Sequence, residues 1–343
     1  MPGARVEWVD VAKGIAILLV VLFHSTTFLD AIGLASVWVL ANPVLETFRM
    51  PLFFFAAGMF AGRSLSLSLP RMLRRRAWPL LWLYLLWTVA YVLLVQVLPW
   101  GWTGGPRPSL SGLVTALIEP NASLWFLYAL ALYSVAAWLI RRLPVWAQLV
   151  PAAALSVVMS SSLSPIGESP WSKTLIYFVF FVAAVHFAPL TERLRAGWWA
   201  WPVLAAYFAA SVGAIAIGVY AVPGVRLVLS LGAIAAGVLL AKALDAARGF
   251  GWLRWLGQRT LPVYVLHYYP IFLAAALLEP VAGALAPAAA VLPPLLVAVT
   301  TVGALAVHRA TERLPLLWTA PGQARRVPAP QHPTPRRAEP APG

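Results

Sequence analysis

The chain reads as long apolar runs joined by short polar links, without the two-residue alternation of half-buried strands or the polar face of soluble helices. Apolar runs fall at about Val11 to Phe28, Val44 to Gly62, Trp78 to Leu98, Ser123 to Ile140, Val145 to Ser160, Ser172 to Phe187, Trp198 to Val219, Val225 to Ala241, Leu261 to Leu278 and Ala284 to Val307. Each comes near the roughly 20 residues a helix needs to cross the hydrocarbon layer. The predicted class is all-α: a polytopic membrane helix bundle of about ten transmembrane helices. The stretch from Ala31 to Leu40 is set apart as a short interfacial or re-entrant helix. The bundle fills residues 1–318; residues 319–343, rich in Pro, Ala and Arg, are expected to form a disordered tail. The first apolar run is not a short core followed by a small-residue cleavage site, so it reads as a retained helix.

Composition agrees with that pattern. The chain is 61% hydrophobic and 10% charged, against about 25% charged in ordinary soluble domains. The net charge of +14 raises the question of nucleic acid, but the basic residues are dispersed over short links and the tail rather than gathered on one face. No nucleic-acid partner is expected. With the N-terminus inside, only Arg49, Arg107, Lys173 and Arg226 of the 25 basic residues fall outward, which predicts cytoplasmic N- and C-termini by the positive-inside rule. The Pro-, Gly- and Trp-rich stretch Pro99 to Pro108 is then an outward loop, and the sequon beginning at Asn121 sits at a helix entrance. The chain contains no cysteine, which removes thiolate metal sites and a cysteine nucleophile; no metal site is expected.

Ionisable side chains within apolar helices cost about 2.5 to 3.5 kcal/mol at mid-membrane on insertion scales, so each is a functional candidate. The first run carries Asp10, Lys13 and His24. Lys13 and His24 are eleven residues apart, about 20° beyond three full turns and about 16.5 Å along the axis, so they share a face. Asp10 can pair with Lys13 one turn away. A structural account also exists, with Lys13 reaching the inner headgroups and His24 hydrogen-bonded to a neighbouring helix. His267, in the ninth run, shares a face with Tyr264. His186 lies near an inner helix end, and His308 and His332 lie at or beyond the last helix. Arg49 is an outward-leaning cation, with outer headgroup contact as its bland alternative. The basic stretch RMLRRRAWP offers Arg71, Arg74, Arg75 and Arg76 to a polyanion, although topology alone would also put them there.

Four segments in order resemble the acyltransferase-3 family of integral membrane O-acyltransferases, especially its fucose 4-O-acetylase-like branch. They are VEWVDVAKGIAILLVVLFH (Val6 to His24), FRMPLFFFAAGMF (Phe48 to Phe60), SLWFLYALALY (Ser123 to Tyr133) and WLGQRTLPVYVLH (Trp255 to His267). RMLRRRAWP is similar to the basic loop before the family's third helix. The family's first-helix signature is a basic residue, ten intervening positions and a histidine, which Lys13 and His24 reproduce; the usual basic residue is arginine. Many relatives carry an added extra-cytoplasmic hydrolase-like domain, which is not expected here after the helices.

The resemblance implies transfer of an acyl group, most often acetyl, from acetyl-CoA or another acyl-CoA to a hydroxyl of a carbohydrate or glycolipid acceptor. The enzyme would be multi-pass in the plasma membrane, in contact with lipid. The implied catalytic residues are His24 as general base with Asp10 and Lys13; acyl-histidine formation on His24 is a variant route. Lys13, Arg71, Arg74, Arg75 and Arg76 would hold the donor, and Arg49, Trp125, Tyr264 and His267 the acceptor. His24 is expected to look into a wet passage that reaches the cytosol beside Lys13 and the arginine loop. A transporter or flippase and a purely structural membrane subunit are the alternatives.

Overall fold

A computed structural model describes residues 6–97, 107–120, 123–195 and 197–323. Most of the predicted loop at Pro99 to Pro108, Asn121, His332 and most of the predicted tail lie outside the described residues. Within them the structure is helical, with no strand. Hydrocarbon offers the backbone no hydrogen-bond partner, and a helix satisfies every interior N–H and C=O itself.

The principal helices are α1 (Glu7–Ala31), α2 (Val37–Met59), α3 (Trp78–Val97), α4 (Trp125–Ile140), α5 (Val145–Met159) and α6 (Pro170–Phe187). They continue as α7 (Ala200–Ala216), α8 (Val225–Ala246), α9 (Gly251–Gly257), α10 (Thr260–Leu266), α11 (Tyr268–Leu278) and α12 (Leu292–Thr311). Six stretches are long and apolar enough to cross a membrane among the described residues, and α4, α5 and α7 are shorter apolar helices. The bundle turns apolar side chains outward: Leu93, Val228, Val299 and Val302 are each more than half exposed. In water such a surface would aggregate; in lipid it is the solvated face.

Three boundaries differ from the sequence reading. Residues 37–40 do not form a separate interfacial helix but open α2, which carries Pro43 and Pro51 in its interior. The turn before it is set by Gly33, whose φ of 82° lets the Leu34 N–H return to the Leu29 carbonyl at 2.8 Å. The ninth run is broken at His267 into α10 and α11: Pro270 has no N–H to give the Leu266 carbonyl, so the helix kinks there. The tenth run begins as short turns, and its helix starts at Leu292.

The arginine loop is itself helical. A short helix, Leu69–Met72, passes through a π-turn at Leu73–Ala77 into α3. The extra residue of the π-turn rotates the arginines. Arg76 points into the bundle, where Nε donates to Ser134 Oγ at 3.1 Å and Nη2 to the Ala57 carbonyl at 3.0 Å. Arg71, Arg74 and Arg75 remain exposed. Residues 314–323 run back along α3, where the indole N–H groups of Trp82, Trp87 and Trp78 donate to the carbonyls of Leu316, Leu317 and Pro321. The described residues 319–323, at the start of the expected tail, thus lie against α3.

α1 is the centre of the molecule, packed against α2, α8, α9, α11 and α12. Its start is anchored by Arg254 on α9, which bridges Glu7 at 2.9 Å and Asp245 at 2.5 Å. The hydrogen bonds that Arg254 donates to Asp245 strengthen its hold on its proton. α9 was not foreseen as an element of its own. It lies so close to α1 that only glycine fits at the crossing, a point taken up below.

Candidate active site

The ends of the helices define two faces. Arg63 to Arg76, Arg141, Arg142, Arg193, Arg195 and Arg248 cluster at one, here the Arg-rich face; α1 starts there and ends at the other. Among the described residues, two cavities that meet at one side chain lie toward these opposite faces, and a separate one of about 270 Å³ is lined by Arg141, Gln148 and His186.

The first cavity, about 300 Å³, holds His24. Its mouth is formed where α1 and α2 meet the start of α6, by Thr27, Glu46, Glu168 and Lys173, and its walls include Trp125, Tyr177, Tyr264 and Tyr268. These residues lie toward the face opposite the arginines. The His24 ring is held by edge contacts to Phe23 at 5.0 Å and Tyr268 at 5.4 Å, and by His267 at 5.0 Å between centroids. Arg49, Trp125 and Tyr264, all expected near an acceptor, line this cavity. Arg49 is only 5% exposed, so the structure does not place it at the outer headgroups.

His267 is not on the cavity wall. It is fully buried behind His24, because the kink at the α10–α11 junction turns its ring inward. Its Nδ1 lies 2.6 Å from the Tyr264 carbonyl. A carbonyl only accepts, so Nδ1 carries the proton and the bare lone pair is on Nε2, which has no hydrogen-bond partner.

The second cavity, about 170 Å³, contains Lys13 with Phe53, Ala57, Leu80, Thr260 and Leu261. Lys13, Ala57, Leu80, Thr260 and Leu261 set it toward the Arg-rich face. Lys13 Nζ is paired with Asp10 at 2.8 Å, and Arg76 holds the carbonyl of Ala57, one of the lining residues. Arg71, Arg74 and Arg75 stand outside it. Lys13 and His24 therefore do not share one passage, as the sequence reading expected: the helix face they have in common is divided between two cavities.

The partition is Tyr264, which lines both. Its hydroxyl donates to the Ser123 carbonyl at 3.1 Å and accepts from the Phe126 N–H at 3.2 Å. Ser123 and Phe126 are the entrance to α4, so the first turn of α4 is tied to α10 across the gap between the cavities.

Several cavity residues were not singled out from sequence, above all Glu46, Glu168, Lys173, Tyr177 and Tyr268. Glu46 was detectable, since an acid one turn before Arg49 in an apolar helix is costly unless used. Arg226 Nη2 binds its Oε1 at 2.8 Å and the Tyr177 hydroxyl donates to the same oxygen at 3.1 Å. Of the other histidines, His186 meets Gln148 Oε1 at 2.9 Å in the separate cavity beside Arg141 and His308 packs on Trp318; neither lines the cavities of His24 and Lys13. Among the described residues no group of three His, Asp or Glu side chains is placed to hold a metal ion.

A polytopic helix bundle whose apolar side chains face outward is an integral membrane protein. The chain belongs to the family described as Acyltransferase domain, whose profile matches residues 6–308. A stretch of 188 residues is 29% identical to Inner membrane protein YcfT of Escherichia coli (strain K12), covering 48% of this chain and 50% of that protein. The chain thus matches about half the length of this curated relative. No solved structure matches it.

Proposed function

We propose that the protein is a membrane O-acyltransferase that takes an acyl group, acetyl in the simplest case, from acyl-CoA at one face and delivers it to a carbohydrate hydroxyl at the other. The observation that carries this reading is the pair of cavities meeting back to back at Tyr264, with Lys13 in one and His24 in the other. The positive-inside rule makes the Arg-rich face cytoplasmic, which is where acyl-CoA is available. The smaller cavity, apolar apart from Lys13 and Thr260, suits the slender arm of the donor, while Lys13 and the nearby arginines suit its phosphates. The larger cavity, with tyrosines, Trp125 and paired charges, suits a sugar, whose C–H faces stack on aromatic rings and whose hydroxyls need donors and acceptors.

A hydroxyl is a poor nucleophile at neutral pH. A positioned imidazole removes its proton as it attacks the thioester carbon, and His24 is the imidazole that faces the larger cavity. The acceptor is then a glycan or glycolipid presented on the side opposite the arginines, a side the sequence left undecided. Reconstituted protein supplied with radiolabelled acetyl-CoA and cell-envelope glycans is expected to label glycan; release of free acetate alone would refute the acceptor class.

Two further outcomes follow from the partition. Tyr264→Ala should join the cavities and let water reach the thioester, so free thiol released from acetyl-CoA should rise relative to glycan labelled. Lys13→Ala should raise KM for acetyl-CoA about tenfold, a loss of about 1.4 kcal/mol, with kcat changed much less; an unchanged KM would remove Lys13 from donor binding. A transporter remains the second reading because of one feature: the helix broken at His267 resembles the interrupted helices around transport sites. Acyl turnover by the purified protein excludes transport as its sole activity.

A further inference from the structure

Arg49 keeps a guanidinium N–H that no acceptor in the fold takes up. Its guanidinium lies over the Phe23 ring, with Cζ 4.1 Å from the centroid, and Nη1 is buried with no hydrogen-bond partner. Glu46, one turn earlier, is already engaged by Arg226 and Tyr177. A guanidinium kept for packing would be paired, because a buried N–H without an acceptor is destabilising. Position 49 is near the middle of α2, and helical side chains lean toward the N-terminus of their helix. The guanidinium therefore reaches outward to the level of Phe23, in the cavity that His24 and Tyr264 also line.

We infer that Arg49 is a catalytic residue that stabilises the oxyanion of the transfer reaction, an inference that rests on the acyltransferase reading. As the acceptor oxygen gives its proton to His24, its lone pair forms the new C–O bond to the thioester carbonyl carbon. The carbonyl π pair moves onto oxygen, and the negative charge meets the Arg49 guanidinium. Collapse re-forms the carbonyl, the C–S bond breaks, and the departing thiolate takes the proton held by His24. A guanidinium that is only 5% exposed and has an N–H without an acceptor before the reaction stabilises charge that exists only in the transition state. A negatively charged acceptor would instead be met at the mouth, by Lys173.

The test uses full-length protein in lipid nanodiscs and acetyl-CoA labelled with carbon-13 at its carbonyl, with His24→Gln present to stop turnover. Infrared difference spectra should show the labelled carbonyl stretch displaced to lower frequency on binding, and the displacement should vanish on adding Arg49→Gln. In the protein with His24 intact, Arg49→Gln should lower kcat about 100-fold or more with KM for acetyl-CoA unchanged. Arg49→Lys, which keeps the buried charge, should retain part of both effects and answers the question should the glutamine variant not fold. A displacement that persists in the Arg49 variants overturns the inference alone, as does a loss expressed only in KM or only with acidic acceptors. Failure of acetyl-CoA to bind with Arg49 intact overturns the donor reading, and this inference with it.

Discussion

Replacing His24 with alanine is expected to reduce glycan acetylation by about 10² to 10⁴-fold, the usual contribution of a positioned general base, while leaving the folded bundle intact. The two halves of that result have separate causes. His24 is only half-buried and its contacts are ring edges at the wall of a cavity, so truncation enlarges an existing space rather than creating a sealed void. The chemistry, by contrast, loses the group that takes the acceptor proton. His267→Ala provides the contrast: that ring is fully enclosed, and its loss should lower thermal stability and activity together. Label transfer that survives His24→Ala would remove this residue from the reaction.

The largest effect on folding is expected at Gly257. A Cβ there would lie 1.6 Å from the Asp10 carbonyl oxygen, and one at Gly14 would lie 2.3 Å from the Leu253 carbonyl oxygen. These are backbone atoms of two crossed helices, which cannot swing aside as a side-chain tip can. Small residues at such crossings are what let membrane helices approach. Gly257→Ala must therefore separate α9 from α1 or distort both, at a cost of about 1 to 3 kcal/mol or more. It should also weaken acyl-CoA binding, because the backbone it displaces is that of Asp10, whose carboxylate holds Lys13. Gly251→Ala, six residues earlier with open space around its Cβ position, is the control. Thermal unfolding followed in lipid nanodiscs should show a clear loss for the first and almost none for the second. Equal melting temperatures would mean that the crossing is looser than the structure has it.

The bundle was legible because lipid imposes one rule on every spanning segment, and runs such as Val145 to Ser160 became helices within a residue or two of the expected ends. Breaks were less legible. Pro270 signals a kink, but whether a helix bends or stops depends on what packs against it, and here the bend buries His267. The spacing of Lys13 and His24 puts them on one face of a single helix, which the structure gives as continuous from Glu7 to Ala31. What periodicity along one helix could not supply was the other wall: Tyr264 is brought from α10 to meet the start of α4 and divides that face into two cavities. The arginine loop shows the same limit. Its charges are evident in sequence, yet the π-turn that sends Arg76 inward and leaves Arg74 outside is a local change of register that composition does not encode.

Glu46 and Arg49 illustrate the remaining gap. Each is a costly ion in an apolar helix, and one turn of spacing suggests that they pair. The structure pairs Glu46 with Arg226 on α8 and leaves Arg49 facing the cavity. Partner choice among ions on different helices is settled by tertiary packing.

The account stands on His24 and Lys13 being reached from opposite sides of the membrane. Because the natural chain has no cysteine, single Thr27→Cys and Leu261→Cys variants can be labelled without background by a membrane-impermeant maleimide in oriented vesicles. The expected result is labelling of position 27 only from the face opposite the arginines, and of position 261 only from the Arg-rich face and less so with acetyl-CoA present. Labelling of both positions from the Arg-rich face would contradict it.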